Sequence, residues 1–288
     1  ISKPPTKISH NNVEHAIMKL NIVPARTGVL WAKQGIRTFL RQPLAMSGLF
    51  FLFMASLSIA TLFPVIGPAI ALALLPAATL GLMAATQQAD RGKFPMPIML
   101  ASAFREGPQV RKSMLILGSL YALGFLLIMA ISTLVDGGDF AKLYLVGGSV
   151  SEEVVTQPGF QTAMWVTLAL YLPLSLMFWH APALVYWHGV SPVKSLFLSM
   201  MTCYHNFGAM LLYALFWASL FISAIVLISL IAVLLGEPTI ASMAMFPIAL
   251  MMMAMFFTSI YYTFLDCFEA TPDPSKAVAP ENFSDGML

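Results

Sequence analysis

Six stretches of about twenty residues recur along this chain without a single Asp, Glu, Lys or Arg, and they constrain the fold more than any other feature. They run near Leu44–Leu62, Phe63–Thr86, Ser113–Val135, Thr162–Tyr186, Phe207–Leu235 and Ile240–Phe264. Crossing about 30 Å of hydrocarbon takes about 20 apolar residues in a helix. Each stretch is therefore long enough to span a bilayer. A water-soluble domain needs about a quarter of its residues charged, and here 10% are charged while 59% are hydrophobic. The expected fold is all-α: a polytopic bundle of six transmembrane helices. The first two stretches have almost no loop between them, but Pro64, Gly67 and Pro68 interrupt the apolar run where a straight helix cannot continue. A hairpin is expected there rather than one long kinked helix.

Cations set the orientation. Of the 15 Lys and Arg, seven precede the first stretch (Lys3, Lys7, Lys19, Arg26, Lys33, Arg37, Arg41), and five lie between the second and third (Arg91, Lys93, Arg105, Arg111, Lys112). Lys194 and Lys276 fall on the same side by alternation of the spans. Only Lys142 lies on the other side, with Asp136, Asp139, Glu152, Glu153 and Glu237. The basic side is expected in the cytoplasm, with both termini there: residues 1–28 a polar arm, 29–266 the membrane domain, 267–288 a tail. The net charge of +2 argues against nucleic acid. Membrane phospholipid is the expected anionic partner, held by Lys33, Arg37, Arg41, Arg105, Arg111, Lys112 and Lys194. Cys203 and Cys267 fall near cytoplasmic helix ends, where reduced thiols are expected.

A short amphipathic segment precedes each odd-numbered span. In Val29–Gln42 the cations Lys33, Arg37 and Arg41 recur every four residues, and Leu30, Ile36, Phe39 and Leu40 form the apolar side before Pro43. Met96–Arg105 repeats the pattern more weakly. The third opens with Ser191 as N-cap and Pro192 at the first helical position, then places Leu196, Phe197, Met200, Met201 and Tyr204 at helical spacing. Each is expected in the interface plane, so the chain reads as three copies of an interfacial helix plus a hairpin. The plainer alternative is that any multispan protein has amphipathic cytoplasmic loops.

Several elements together resemble an uncharacterised family of six-span proteobacterial inner-membrane proteins. They are Val23-Pro24-Ala25-Arg26 leading to Trp31, Phe39-Leu40-Arg41-Gln42-Pro43-Leu44, Phe63-Pro64-Val65-Ile66-Gly67-Pro68, Asp90-Arg91-Gly92, and Ala181-Pro182-Ala183-Leu184 followed by His188-Gly189 and Ser191-Pro192. The resemblance covers roughly residues 22–268. It departs at Met201–Asn206 and at Tyr261–Asp266, where the family pattern carries an arginine and this chain has none, which weakens an anion-binding role at both places. It implies the topology and no particular activity.

Ionisable groups inside a bilayer usually mark ion paths or proton relays. None lies well inside the six stretches, which argues against a proton- or sodium-coupled transporter and against hydrolysis within the bilayer. No nucleotide-binding loop, zinc spacing or nucleophile–base set stands out, so an enzyme is not expected, and no cofactor is predicted beyond bound phospholipid. His180, flanked by Trp179 and Pro182, reads either as a metal or cofactor ligand or as a neutral imidazole bonded to a nearby carbonyl. Met251 and Met255 share a helix face and, with Cys203 and His205, suggest Cu(I). Methionine is equally a flexible filler, and 20 are spread over the chain.

Ala69, Ala73, Ala77, Gly81 and Ala85 form a small-residue seam at steps of four, either packing within the bundle or docking a partner subunit. Trp165, Trp179, Trp187, Tyr171 and Tyr186 read as interfacial anchors around span four, with Trp179 alternatively a packing residue. The acidic loop Asp136–Gln161 is a candidate docking site for a periplasmic partner through Asp136, Asp139, Glu152 and Glu153, and Ser151 could start a short helix within it. The preferred expectation is a non-catalytic accessory or scaffold subunit of a respiratory or photosynthetic type of complex. The alternative is a transporter or channel for a lipid, a small solute or Cu(I).

Overall fold

The structure, a computed structural model, describes residues 20–63, 66–145, 147, 151–236 and 238–268. Most of the expected N-terminal arm and C-terminal tail, and Pro64 of the first turn, lie outside the described residues. No strand occurs among them. The chain forms α1 (Thr27–Arg41), α2 (Pro43–Thr61), α3 (Gly67–Asp90), a 3-10 turn (Pro97–Ala101), α4 (Ser102–Arg105) and α5 (Pro108–Asp136). It continues with α6 (Asp139–Leu145), α7 (Glu152–Val155), α8 (Pro158–Trp179), α9 (Ala181–His188), α10 (Pro192–His205), α11 (Phe207–Leu234) and α12 (Pro238–Cys267). Six candidate membrane spans result, the fourth made of α8 and α9 together. The bundle is the all-α polytopic architecture that the spacing predicts.

Local chemistry sets the breaks. Pro43, Pro108, Pro158 and Pro192 stand in the first turns of their helices, where the missing N–H costs nothing. Gly137 adopts φ +73° to end α5, returning its N–H to Thr133. Gly67 opens α3 so close to the end of α2 that a Cβ there would meet the carbonyl oxygens of Ala60 and Thr61, which is what a tight hairpin requires. The second half of each hairpin carries one internal proline: Pro76 in α3, Pro173 in α8 and Pro247 in α12.

The three interfacial segments follow one rule. Each packs chiefly on the returning helix of another hairpin: α1 on α12 and also α11, the 3-10 turn on α3 with α4 shared equally between α3 and α5, and α10 on α8. Glycine makes the approach possible, because lipid tails are as apolar as leucine and helices in a bilayer associate through close packing. A Cβ on Gly28 would overlap the Ala209 carbonyl, and one on Gly35 the backbone of Ser259. The α3 seam is occupied from within the chain: Gly118 of α5 faces the Ala73 carbonyl and Gly81 faces the backbone of Leu100. Ala77 and Ala85 are buried and Ala69 is half-buried.

Three expected faces need correction. α1 buries Trp31, Ala32, Gly35, Thr38 and Phe39, while Leu30 and Leu40 are exposed. Its inner face is chosen by fit against α11 and α12 rather than by greasiness. α10 buries Ser195, Leu196, Ser199, Thr202 and Cys203 and turns Phe197, Met200 and Tyr204 outward. Ser191 stands at the N-cap of α10 without a side-chain bond. Met96–Arg105 is not one amphipathic helix but a 3-10 turn and a single α turn, cut short by Gly107 at φ +118° and by Pro108, which opens α5.

Hydrophobic packing is concentrated toward the end of the bundle that carries α1, α4, α9 and α10. A smaller cluster at the opposite end joins Ile128 and Met129 of α5, Phe140 of α6, and Phe160 and Ala163 of α8. The described part of the acidic loop is thus folded onto the bundle. Asp136 is an internal cap rather than a free docking carboxylate: it accepts from Gly138 N (2.8 Å) and Phe140 N (2.7 Å). Asp139 lies 3.5 Å from Lys142, and Glu152 and Glu153 are exposed.

Candidate functional site

Every described Lys and Arg except Lys142 lies at one end of the bundle, and a buried polar layer lies just inside that basic end. It is built around the last turns of α12. Tyr262 donates to Asp90 of α3 (2.8 Å), so Thr38 of α1 donates to the Tyr262 oxygen (2.5 Å). Arg41 approaches the same carboxylate at 3.9 Å. This residue, expected among lipid headgroups, therefore also serves an internal carboxylate. Trp31 donates its indole N–H to Asp266 at 2.7 Å. Asn21 donates its backbone N–H to the Cys267 carbonyl (3.1 Å), and Asn206 accepts from Val23 N (2.8 Å) while donating to Asn21 O (3.0 Å).

The second half of the layer is a break in span four. In an unbroken helix His180 N–H would reach Leu176 C=O. Instead Ser199 of α10 inserts its hydroxyl, accepting from His180 N (2.9 Å) and donating to Leu176 O (2.7 Å). Pro182, two residues on, removes a further N–H from the ladder. One serine therefore repairs a gap in the backbone ladder from outside the helix. The imidazole of His180 is fully buried. Its Nε2 lies 3.1 Å from Thr263 Oγ1 and its Nδ1 lies 3.9 Å from Cys203 Sγ. The expected carbonyl partner is replaced by a hydroxyl and a thiol.

Thr263 fixes the tautomer. Its single proton goes to Ile260 C=O (2.7 Å), because that oxygen can only accept. Its lone pairs then receive Trp179 Nε1–H (3.1 Å) and His180 Nε2–H. Nδ1 of His180 is left without a proton, its lone pair facing Cys203. Trp179 packs against Tyr213 and Phe256, which makes it a packing residue.

The expected Cu(I) set does not assemble. His205 is exposed and lies 2.8 Å from Met201 O, Met251 is 42% exposed, and Met255 is buried. Among the described residues no group of three or more His, Cys, Asp or Glu side chains converges as a metal site would require. Away from the basic end, several serines within the spans close on their own helices, while Tyr121 and Tyr171 meet across α5 and α8 at 3.3 Å and Thr167 Oγ1 is buried without a hydrogen-bond partner. Ser56 donates to Phe53 O, Ser132 to Met129 O, Ser175 to Leu172 O, Ser219 to Phe216 O and Ser223 to Ser219 O. Lys33, Arg37, Arg105, Arg111, Lys112 and Lys194 are exposed at the basic end, available to headgroups.

Burial pushes the Cys203 thiol up to about 12, so it stays protonated and weakly nucleophilic at neutral pH. In the folded protein at pH 7.5, Cys203 should resist a bulky maleimide for hours and react within minutes after denaturation in SDS. Rapid labelling before denaturation, mapped to Cys203 by peptide mass analysis, would contradict the packing described.

Six apolar spans, interfacial segments and a polar layer confined to one end define a multi-pass helical membrane protein. The comparisons then narrow the class. A "probable inner membrane protein" of Burkholderia thailandensis is 38% identical over 254 residues, covering 87% of this chain and 94% of the relative. The chain belongs to that protein's family and is a multi-pass inner-membrane protein. No family model and no solved structure matches it.

Proposed function

We propose that this protein is a non-catalytic accessory or scaffold subunit of a larger inner-membrane assembly of respiratory or photosynthetic type, seated with its basic end in the cytoplasm. The observation that carries this reading is the third hairpin. The span on α11 is 11% buried, against 28–50% for the other five. It keeps Leu211, Leu215, Ile222, Ile225 and Leu230 on an open apolar surface. The hydroxyls of Ser199, Thr38, Tyr262 and Thr263 in the polar layer are meanwhile spent on internal bonds, as expected of a packing subunit rather than of a path for solute. The cytoplasmic placement rests on the cation distribution. Single cysteines at Lys112 and Lys142, in a chain otherwise free of cysteine, should be labelled from opposite faces, Lys142 from the periplasm.

Gentle detergent extraction followed by native mass analysis should find the chain with a second membrane protein in fixed ratio. Charge reversal at the exposed pair, Glu152→Lys with Glu153→Lys, should lower that partner's recovery several-fold while leaving the chain folded. Deleting the whole loop is a poorer test, because Phe140 belongs to the packed cluster. Recovery of the wild-type chain alone under the gentlest extraction would remove the proposal.

The second reading, a transporter or channel for a lipid, small solute or Cu(I), draws support from the break in span four. Interrupted helices line many transport sites. Solute uptake by vesicles containing the purified chain, absent from empty vesicles, would favour it.

A further inference from the structure

We propose that Cys203 Sγ and His180 Nδ1 form a buried two-coordinate site for one soft monovalent cation of the Cu(I) and Ag(I) class. Three observations converge on it. The two donor atoms come from different elements, α10 and the α8–α9 break, and stand 3.9 Å apart. That separation suits an ion placed nearly in line between a sulfur and a nitrogen. Next, the hydrogen bonds of Thr263 leave Nδ1 with an available lone pair, and Nε2–H is already held by a hydroxyl. Metal-binding histidines are oriented in this way by the partner of their other nitrogen. The third observation is burial: His180 is 0% and Cys203 2% exposed.

Charge balance selects the ion. Binding exchanges the Cys203 proton for the cation, so a thiolate, a neutral imidazole and a monovalent ion leave the site neutral with one proton released. A divalent ion would leave an uncompensated positive charge in a buried site, which is costly. Zinc also requires about four donors in a structural site, and no such group converges among the described residues. Thiolate ligands favour Cu(I). Burial that keeps a bulky maleimide out still leaves room for a single small ion. The inference concerns binding and stands independently of the accessory role.

The test uses the full-length protein in mild detergent with Ag(I) as a redox-inert probe. Buffered Ag(I) titrations are read by native mass analysis and by proton release. The wild type should take up one ion per chain and release one proton, with Zn(II) in equal amount failing to compete. Cys203→Ala should weaken binding at least tenfold while keeping the thermal melting profile of the wild type, and Cys267→Ser should retain the ion. On the unmodified wild type, Ag(I) should shift the His180 imidazole nitrogen resonances, a readout that needs no variant. Absence of a bound ion in the wild type, unchanged binding in Cys203→Ala, effective competition by Zn(II), or loss confined to Cys267→Ser would each overturn the assignment.

Discussion

Valine in place of Gly35 will loosen α1 from the rest of the bundle and destabilise the protein by about 3 kcal/mol or more. Even a single Cβ at this position would overlap the backbone of Ser259, and backbone cannot rotate away as a side-chain tip can. Overpacking of a flexible core site costs about 1–3 kcal/mol. Here the helices must separate, and Trp31, Thr38 and Phe39 lose their partners together. The Trp31–Asp266 and Thr38–Tyr262 bonds lie on the same contact. Thermal unfolding in detergent should fall markedly, and trypsin should cut at Lys33 and Arg37, which are exposed but held in a docked helix. Gly48→Val is the control: nothing lies within 4 Å of a Cβ there, so stability should move by no more than about 0.5 kcal/mol. A Gly35→Val protein as stable and trypsin-resistant as the control would refute the close approach of α1 and α12.

The second large effect is expected at Ser199. Its hydroxyl satisfies two backbone groups of another helix, His180 N–H and Leu176 C=O. Alanine would leave His180 N–H buried without a partner and Leu176 C=O with only the weak Cys203 thiol contact at 3.9 Å; a lost buried partner costs about 1–3 kcal/mol, so a loss of about 2–4 kcal/mol is predicted by equilibrium unfolding in mixed micelles. Ser175→Ala provides the contrast, since that exposed hydroxyl only donates to Leu172 O of its own helix. Its removal should be nearly neutral. Equal stability of the Ser199→Ala and Ser175→Ala proteins would show that span four does not depend on this bridge.

The two cases explain what the sequence could and could not reveal. Span positions were readable because hydrocarbon thickness imposes a length, and the polarity of the bundle because cations gather at one end. Which way a helix faces was not, because in lipid an exposed leucine is as comfortable as a buried one. Leu30 and Leu40 thus pointed to the wrong face of α1, and Phe197 and Tyr204 to the wrong face of α10. The better signal on α10 was its hydroxyls: Ser195, Ser199 and Thr202 sit three to four residues apart and mark the buried side. His180 was recognisable as unusual, but Thr263 lies 83 residues away along the chain. No local pattern joins the two. Asp136 looked like a surface charge because a cap of α6 is identified only once that short helix is known.

The docking of α1 on α12 has a consequence for how the protein is made. The ribosome releases α1 ahead of the six spans described, yet the surfaces that receive it, around Ala209, Ser259 and Asp266, belong to the fifth and sixth of them. At ordinary elongation rates the delay is on the order of tens of seconds. Through that interval the glycine face of α1 has no native partner. Its exposed Lys33 and Arg37 can keep it waiting at the headgroups while the hairpins insert. Assembly of this bundle then closes on a helix made well before its partners, which settles into place only after the third hairpin is inserted.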